Sequence, residues 1–350
     1  MGKYTAIDDP SAHFQTKIYS GNSVDDTAIT NDGNSNLQPD FVWFKRRNSA
    51  TNHILQDSNR GVTANLESDN TAAEYTAASR IKSFDTDGVT LGTSAGVNGS
   101  GYTYVAWQWK ANGGTTASNT NGDINSTVQV NSDAVFSIVT YTGNFTATQT
   151  VGHGLGVRPD MVIIKNRDTA VDWVVWTKDL TSGNFLKLNS TAAQSSSSRI
   201  YQNGFTTSTF GIGANNAVNK SGDGFIAYCF NSVQGYSKFG KYTGNGNADG
   251  PFVHTGFKPA FVMIKNIDNS AGQWYMYDIK RDESNVMEQA LQAQGNNVEI
   301  TTSNKLDFVS NGIKHRGSNV TTNQSGSTHI YMAFAENPFV TSTGIMGTAR

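Results

Sequence analysis

Pro39-Asp40-Phe41-Val42-Trp43-Phe44-Lys45 returns as Pro159-Asp160-Met161-Val162-Ile163-Ile164-Lys165 and again as Pro259-Ala260-Phe261-Val262-Met263-Ile264-Lys265. Proline suits the first position of a strand and not its interior. The apolar residues that follow do not alternate with polar ones, as happens when both faces of a strand are covered. The lysine closing each run is expected to reach the surface. Three further elements recur around this one in fixed order. Tyr19-Ser20-Gly21-Asn22, Tyr141-Thr142-Gly143-Asn144 and Tyr242-Thr243-Gly244-Asn245 precede it. Asp87-Gly88-Val89, Asn203-Gly204-Phe205 and Asn311-Gly312-Ile313 follow it, and an Asn-Gly or Asp-Gly pair supplies a positive-φ turn between strands. Apolar runs at 104–109, 225–230 and 330–334 close the three copies.

A period of about 100 residues is long enough for each copy to bury a modest core. The expected organisation is an N-terminal arm over 1–13, repeats over 14–114, 135–235 and 236–340, a linker over 115–134 and a tail over 341–350. The linker starts beside Asn112-Gly113-Gly114-Thr115-Thr116, a polar stretch that reads as a flexible joint. Copies one and two share Thr71-Ala72-Ala73-Glu74 and Thr191-Ala192-Ala193-Gln194, whereas copy three departs there. Its residues 281–292 place Val286, Gln289, Ala290 and Leu291 at a spacing that fits a short helix.

The composition agrees with many short strands joined by polar turns. The 350 residues include 38 Thr, 36 Asn and 35 Gly, with charged residues at only 15%. Asn and Gly tolerate turn conformations and Thr favours strands, whereas crossover helices need long runs of Ala, Leu, Glu and Lys. The fold class is therefore all-β: three tandem antiparallel β-sandwich modules of jelly-roll or lectin-like type. A formal net charge of −2 gives no reason to expect nucleic acid as a partner. No apolar run reaches 18 residues, so no membrane partner is expected. The single cysteine, Cys229, allows neither an intrachain disulfide nor a zinc site built on several thiolates, and reads as a small buried hydrophobe.

Pro39–Lys45, Phe84-Asp85-Thr86-Asp87-Gly88-Val89-Thr90-Leu91-Gly92, Asn98-Gly99-Ser100-Gly101-Tyr102-Thr103-Tyr104-Val105-Ala106-Trp107 and Trp109-Lys110-Ala111-Asn112-Gly113-Gly114 resemble a repeat domain of virion proteins from marine bacteriophages. Lys165-Asn166-Arg167 and Ser221-Gly222-Asp223-Gly224-Phe225-Ile226-Ala227-Tyr228 carry the same pattern in copy two. The resemblance covers about residues 14–340. It implies lectin-like sandwich modules, a place in the virion, and a tail-fibre-like or other structural role. The partners it implies are other virion structural subunits, in a symmetric homo-oligomer. The alternative is a receptor-binding adhesin whose partner is host surface glycan.

Residues that could carry chemistry point the same way. No HExxH, GxSxG, GxxxxGK or EF-hand pattern occurs, so no catalytic residue, metal ligand or cofactor is expected. His153 and His254 occupy matching places beside glycines and are expected to bond their own turns. Asp57, Asp179 and Asp278 recur 12, 14 and 13 residues after the lysines, which favours a role in the fold over a carboxylate pair for glycoside hydrolysis. Lys45-Arg46-Arg47, with Arg60 near in sequence, reads as a solvated strand end. Trp173, Trp176, Trp274, Tyr275 and Tyr277 lie in one equivalent segment of copies two and three. They are the candidate contacts for a glycan or a subunit interface, where aromatic residues are enriched.

Overall fold

The computed structural model describes residues 5–347, apart from the side chains of 302–304. Copy one contributes β1 (Phe14–Ser20), β2 (Thr27–Ile29), β3 (Phe41–Arg46), β4 (Ile54–Asp57), β5 (Ala64–Asn65), β6 (Tyr75–Thr76), β7 (Ile81–Asp85), β8 (Gly88–Leu91) and β9 (Thr103–Trp109). Next come β10 (Ala117–Asn119), β11 (Ser126–Asn131), β12 (Phe136–Thr142), β13 (Gln149–Gly152), β14 (Met161–Asn166), β15 (Val174–Thr177), β16 (Asn184–Lys187), β17 (Ser195–Ser196), β18 (Thr209–Ile212) and β19 (Gly224–Phe230). Copy three holds β20 (Ser237–Thr243), β21 (Phe252–His254), β22 (Phe257–Asn266), β23 (Tyr275–Asp278), β24 (Met287–Gln292), β25 (Ile300–Val309), β26 (Gly312–His315) and β27 (Thr328–Pro338). Strand accounts for 43% of the chain and helix for 5%, so the protein is all-β.

The sheets are antiparallel, and the same four-strand order recurs. It runs β1-β9-β3-β4, β12-β19-β14-β15 and β20-β27-β22-β23, the last two within eight-stranded sheets. Register repeats as well: Phe41 faces Trp109, Met161 faces Phe230 and Phe261 faces Phe334. The sheet that starts at β20 continues through β24, β25, β26 and β21 and curls back toward β22, nearly closing a barrel. Because the repeated runs are apolar on both faces, the strands they form in copies one and two each serve two cores, while both faces of β22 and β27 in copy three join one. Ile226, Tyr228 and Phe230 join a large cluster shared by all three copies, while Phe225, Ala227 and Cys229 join a cluster confined to copy two.

The Tyr-x-Gly-Asn element has a definite task. In each copy a one-turn helix precedes the closing strand: α1 (Ala95–Asn98), α2 (Asn216–Asn219) and α3 (Val320–Asn323). The hydroxyls of Tyr19, Tyr141 and Tyr242 donate to the carbonyls of Val97, Val218 and Thr322. The backbone N–H groups of Asn22, Asn144 and Asn245 donate to the buried side chains of Asn98, Asn219 and Asn323. The glycine between them is obligatory, because a Cβ on Gly21 would stand 2.3 Å from the Gly99 carbonyl oxygen.

Several expectations need correction. Residues 281–292 hold no helix; they form a turn and β24. The span 115–134, read as a linker, carries β10 and β11, which extend the second sheet beside β12. The stretch at 111–114 is anchored, since the Asp40 carboxylate accepts from the N–H groups of Ala111, Gly113 and Gly114 at 2.7–2.9 Å. Residues 1–4 of the arm and 348–350 of the tail lie outside the described residues.

Candidate functional site

The polar side chains singled out in sequence converge on the joints between copies. Lys45, Lys165 and Lys265 are fully buried rather than surface-exposed. Each ends its strand where the neighbouring copy packs against it, and its ammonium donates to a main-chain carbonyl of that neighbour. Lys165 Nζ reaches Thr71 O at 3.3 Å, Lys265 Nζ reaches Thr191 O at 3.0 Å and Lys45 Nζ reaches Asn296 O at 3.3 Å. Copy two thus bonds copy one, copy three bonds copy two, and copy one bonds copy three: the contacts close a ring. Burial lowers the lysine pKa values, to about 8 for Lys45 and Lys165 and about 7 for Lys265.

A second set of bonds follows the same circuit. Trp173 Nε1 donates to Glu67 O at 2.8 Å and Trp274 Nε1 to Lys187 O at 3.0 Å. His53 takes the equivalent place in copy one; its Nε2 lies 2.9 Å from Gln292 O, and Trp43 Nε1 donates to its other ring nitrogen. A main-chain bond completes each joint: Glu74 N to Arg167 O, Gln194 N to Ile267 O and Glu299 N to Arg47 O. Asn296-Asn297-Val298-Glu299 is therefore the third counterpart of Thr71-Ala72-Ala73-Glu74.

Glutamate–arginine pairs reinforce two joints of the three, and the third has a longer pair, Lys241 with Asp179 at 3.9 Å. Glu74 accepts from Arg167 Nε and Nη2 at 2.9 and 2.7 Å and from Arg60 Nη1 at 2.7 Å. Glu299 accepts from Arg47 Nε and Nη2 at 3.0 and 2.8 Å and from Arg281 Nη1 at 3.1 Å. These guanidinium partners hold both carboxyls below the ordinary glutamate range, against the opposing effect of burial, which is the largest single influence. Arg60 and Arg281 are buried, and each pairs with the aspartate three residues earlier, Asp57 at 2.6 Å and Asp278 at 2.5 Å. The aspartates also accept from the neighbouring copy: Asp57 from the Tyr228 hydroxyl at 2.7 Å and Asp278 from Trp107 Nε1 at 3.0 Å. In copy two the register places Thr177 opposite Met161, where Asp57 and Asp278 stand opposite Phe41 and Phe261. Asp179 is thus not the equivalent aspartate. The joint between copies two and three has Gln194, Ile267 and Leu180 where the others carry Glu and Arg, and the Gln194 side chain meets Asp268 at 3.4 Å.

None of the five candidate aromatic contacts faces solvent. Trp173, Trp176, Trp274 and Tyr277 are at most 1% exposed and Tyr275 is 6% exposed. Trp173 and Trp274 serve the joints inside the chain, Trp176 stacks on Phe205 at 3.6 Å, and Tyr275 and Tyr277 meet edge to face. Their bulk is drawn inward because both faces of their strands are covered. His153 bonds its own turn as expected, accepting from Leu155 N at 3.0 Å, and burial lowers its pKa to about 4. His254 is exposed. Lys45 and Arg60 are buried and only part of the basic run is solvated. The burial of the lysines and the place of Glu299 as the third counterpart of Glu74 and Gln194 escaped sequence reasoning. The signals present were the lysine at the same place in every copy and the Thr-Ala-Ala stretch that ends at Glu74 and Gln194.

Among the described residues no group of three or more His, Cys, Asp and Glu is arranged to hold a metal ion, and no helix is long and apolar enough to cross a membrane. The fold and its joints define an all-β repeat protein in which buried polar groups bind one part of the chain to another. The chain belongs to the family described as Domain of unknown function (DUF7483), which it matches over residues 9–338. No curated protein and no solved structure matches it.

Proposed function

We propose that the protein is a non-enzymatic structural component of a bacteriophage virion, in a tail, fibre or capsid appendage, acting through protein–protein contacts. The observation that carries this reading is the use made of its polar constellations. Asp57, Arg60 and Tyr228, and likewise Asp278, Arg281 and Trp107, are buried and spent on one another. Groups committed in this way hold one copy to the next and are not poised for acid–base work. The resemblance of the repeats to phage virion proteins supplies the setting. In finer detail, the copies are antiparallel sandwiches of lectin-like type. An apolar cluster between Val42, Phe44 and Ala106 on one side and Ile29, Val89 and Leu91 on the other supports this for copy one.

The test is the position of the protein in assembled particles, seen by electron microscopy with a label on the chain. Several symmetric copies on the capsid or within the tail are expected. A distal fibre position, with binding of purified protein to host cells, overturns the structural reading in favour of the adhesin.

A further inference from the structure

Strand β12 is covered along its outer edge by β11, with Gln129 opposite Ile138 and Thr127 opposite Thr140. Gln129 is buried. With its amide oriented to satisfy both ends, its nitrogen donates to Asp40 Oδ1 at 3.1 Å and its oxygen accepts from Asn59 N at 3.0 Å. Strand β1 is the counterpart of β12 in copy one, with Thr16 in the place of Ile138 and Ile18 in that of Thr140. Bonds from Lys110 N to His13 O and from Gly21 N to Tyr102 O fix which residues of β1 point at β9. The odd-numbered residues do, so the N–H and C=O groups of Thr16 and Ile18 point to the opposite edge. No described strand pairs there.

A groove of about 340 Å³ runs along that edge, lined by Phe14, Thr16, Asp32, Ala260, Ile279 and Lys280 among others. Register makes Ala260 the counterpart of Asp40 and Ile279 that of Ser58. The groove is therefore the seat that Gln129 fills at the other joint, with Ala260 and Ile279 in the places of Asp40 and Ser58 and polar side chains such as Gln15, Asn34 and Glu336 elsewhere in its lining. Thr16 is only 5% exposed, and its hydroxyl has no hydrogen-bond partner among the described residues. The third counterpart, β20, is closed by its own chain, since Ser237 N donates to Val233 O and Phe239 N to Ser232 Oγ.

We propose that this groove receives an extended segment of a partner protein by strand addition. The segment runs antiparallel to β1, takes main-chain bonds from Thr16 and Ile18, and seats an apolar side chain on Ala260 and Ile279. Of the described part of the arm, Ala6 N is bonded to Gln234 O and Asp8 holds Ser342, while Ser11 only lines the groove. The β11 strand of a second copy is already paired and carries Gln129, which the apolar seat does not suit. Lys280 and Asp32 form an exposed ion pair, 2.9 Å long, at the mouth. Such a pair opens at little cost. The proposal deepens the reading of a part that works through protein contacts and rests on it only for the nature of the donor.

The probe is a labelled peptide of residues 124–132 carrying Gln129→Leu, compared with the unsubstituted peptide on the full chain. Binding is read by fluorescence anisotropy and by hydrogen exchange of the β1 amides. The leucine peptide is expected to bind about tenfold tighter and to protect Thr16 and Ile18. Ile279→Asp abolishes binding, Ile18→Pro does the same with unchanged circular dichroism because edge strands accept proline, and Lys280→Ala retains it. Equal binding of the two peptides, or binding indifferent to Ile279→Asp, overturns the proposal. Self-association of the chain that Ile279→Asp removes assigns the groove to a second copy and overturns it equally. Failure here leaves the position in the particle unaffected, and a distal position in the particle leaves the peptide result unaffected.

Discussion

Lys265 is fully buried, and its titration reports on the joint it serves. Its pKa falls from 10.5 in the free side chain to about 7 in the folded chain, through burial. Below both values folded and unfolded chains hold the proton alike. Between them the unfolded chain binds more protons, so stability rises with pH across that window. Urea midpoints are expected to climb from pH 7 to pH 10, and Lys265→Met should flatten the climb. Glu74 and Glu299 act on the acid side: their depressed pKa values give stability that is present above the ordinary glutamate range and lost as pH falls through the folded values. Glu74→Gln should remove part of that acid sensitivity in a pH series of thermal melts. Cys229 is buried, and burial raises its thiol pKa. Cys229→Ala is expected to cost about 1–3 kcal/mol as a small cavity, and native protein should resist thiol reagents until it unfolds. Asp57, Asp278 and the cysteine were legible from their pattern, whereas Asp179 was not, because the register puts Thr177 in that place. The lysines were misread because a charge at a strand end reads as solvated until the neighbour that buries it is known.

Elements read from unalternating apolar runs are strands in the structure, because a run covered on both faces needs no knowledge of what covers it. Phe41, Met161 and Phe261 are all at most 3% exposed. Residues 286–291 misled for a local reason. A register shift between Met287 and Gln289 breaks the two-residue alternation of β24, leaving Met287, Ala290 and Leu291 buried at a spacing that imitates a helix. The stretch at 111–114 misled because its composition is that of a free loop, while one carboxylate gathers three of its N–H groups. Limited proteolysis of the native chain should therefore spare 111–122, and Asp40→Asn, which removes the charge from those bonds, should open a first cut there, located by mass spectrometry.

At the scale of the molecule, the repeat was visible in the sequence but its closure was not. Repeats in series announce contacts between consecutive copies; the meeting of copy three with copy one rests on Arg47 and Glu299, which are 252 residues apart. One large apolar cluster draws on all three copies, so calorimetry is expected to show a single unfolding transition. Arg281→Ala, which strands Asp278 in a dry joint, should destabilise the chain by about 3–5 kcal/mol. The bonding around the ring is uneven in a way that complements the backbone. Copies two and three are joined by the short peptide of residues 231–236 and have, among the described residues, only the long ion pair of Lys241 with Asp179, at 3.9 Å, whereas copies three and one share no direct backbone link and carry a bidentate ion pair. Pulled outward, such a bracelet would yield first at the seam with the weakest clasp, and there the peptide would act as a tether, keeping the parted halves within reach of each other until the load is released.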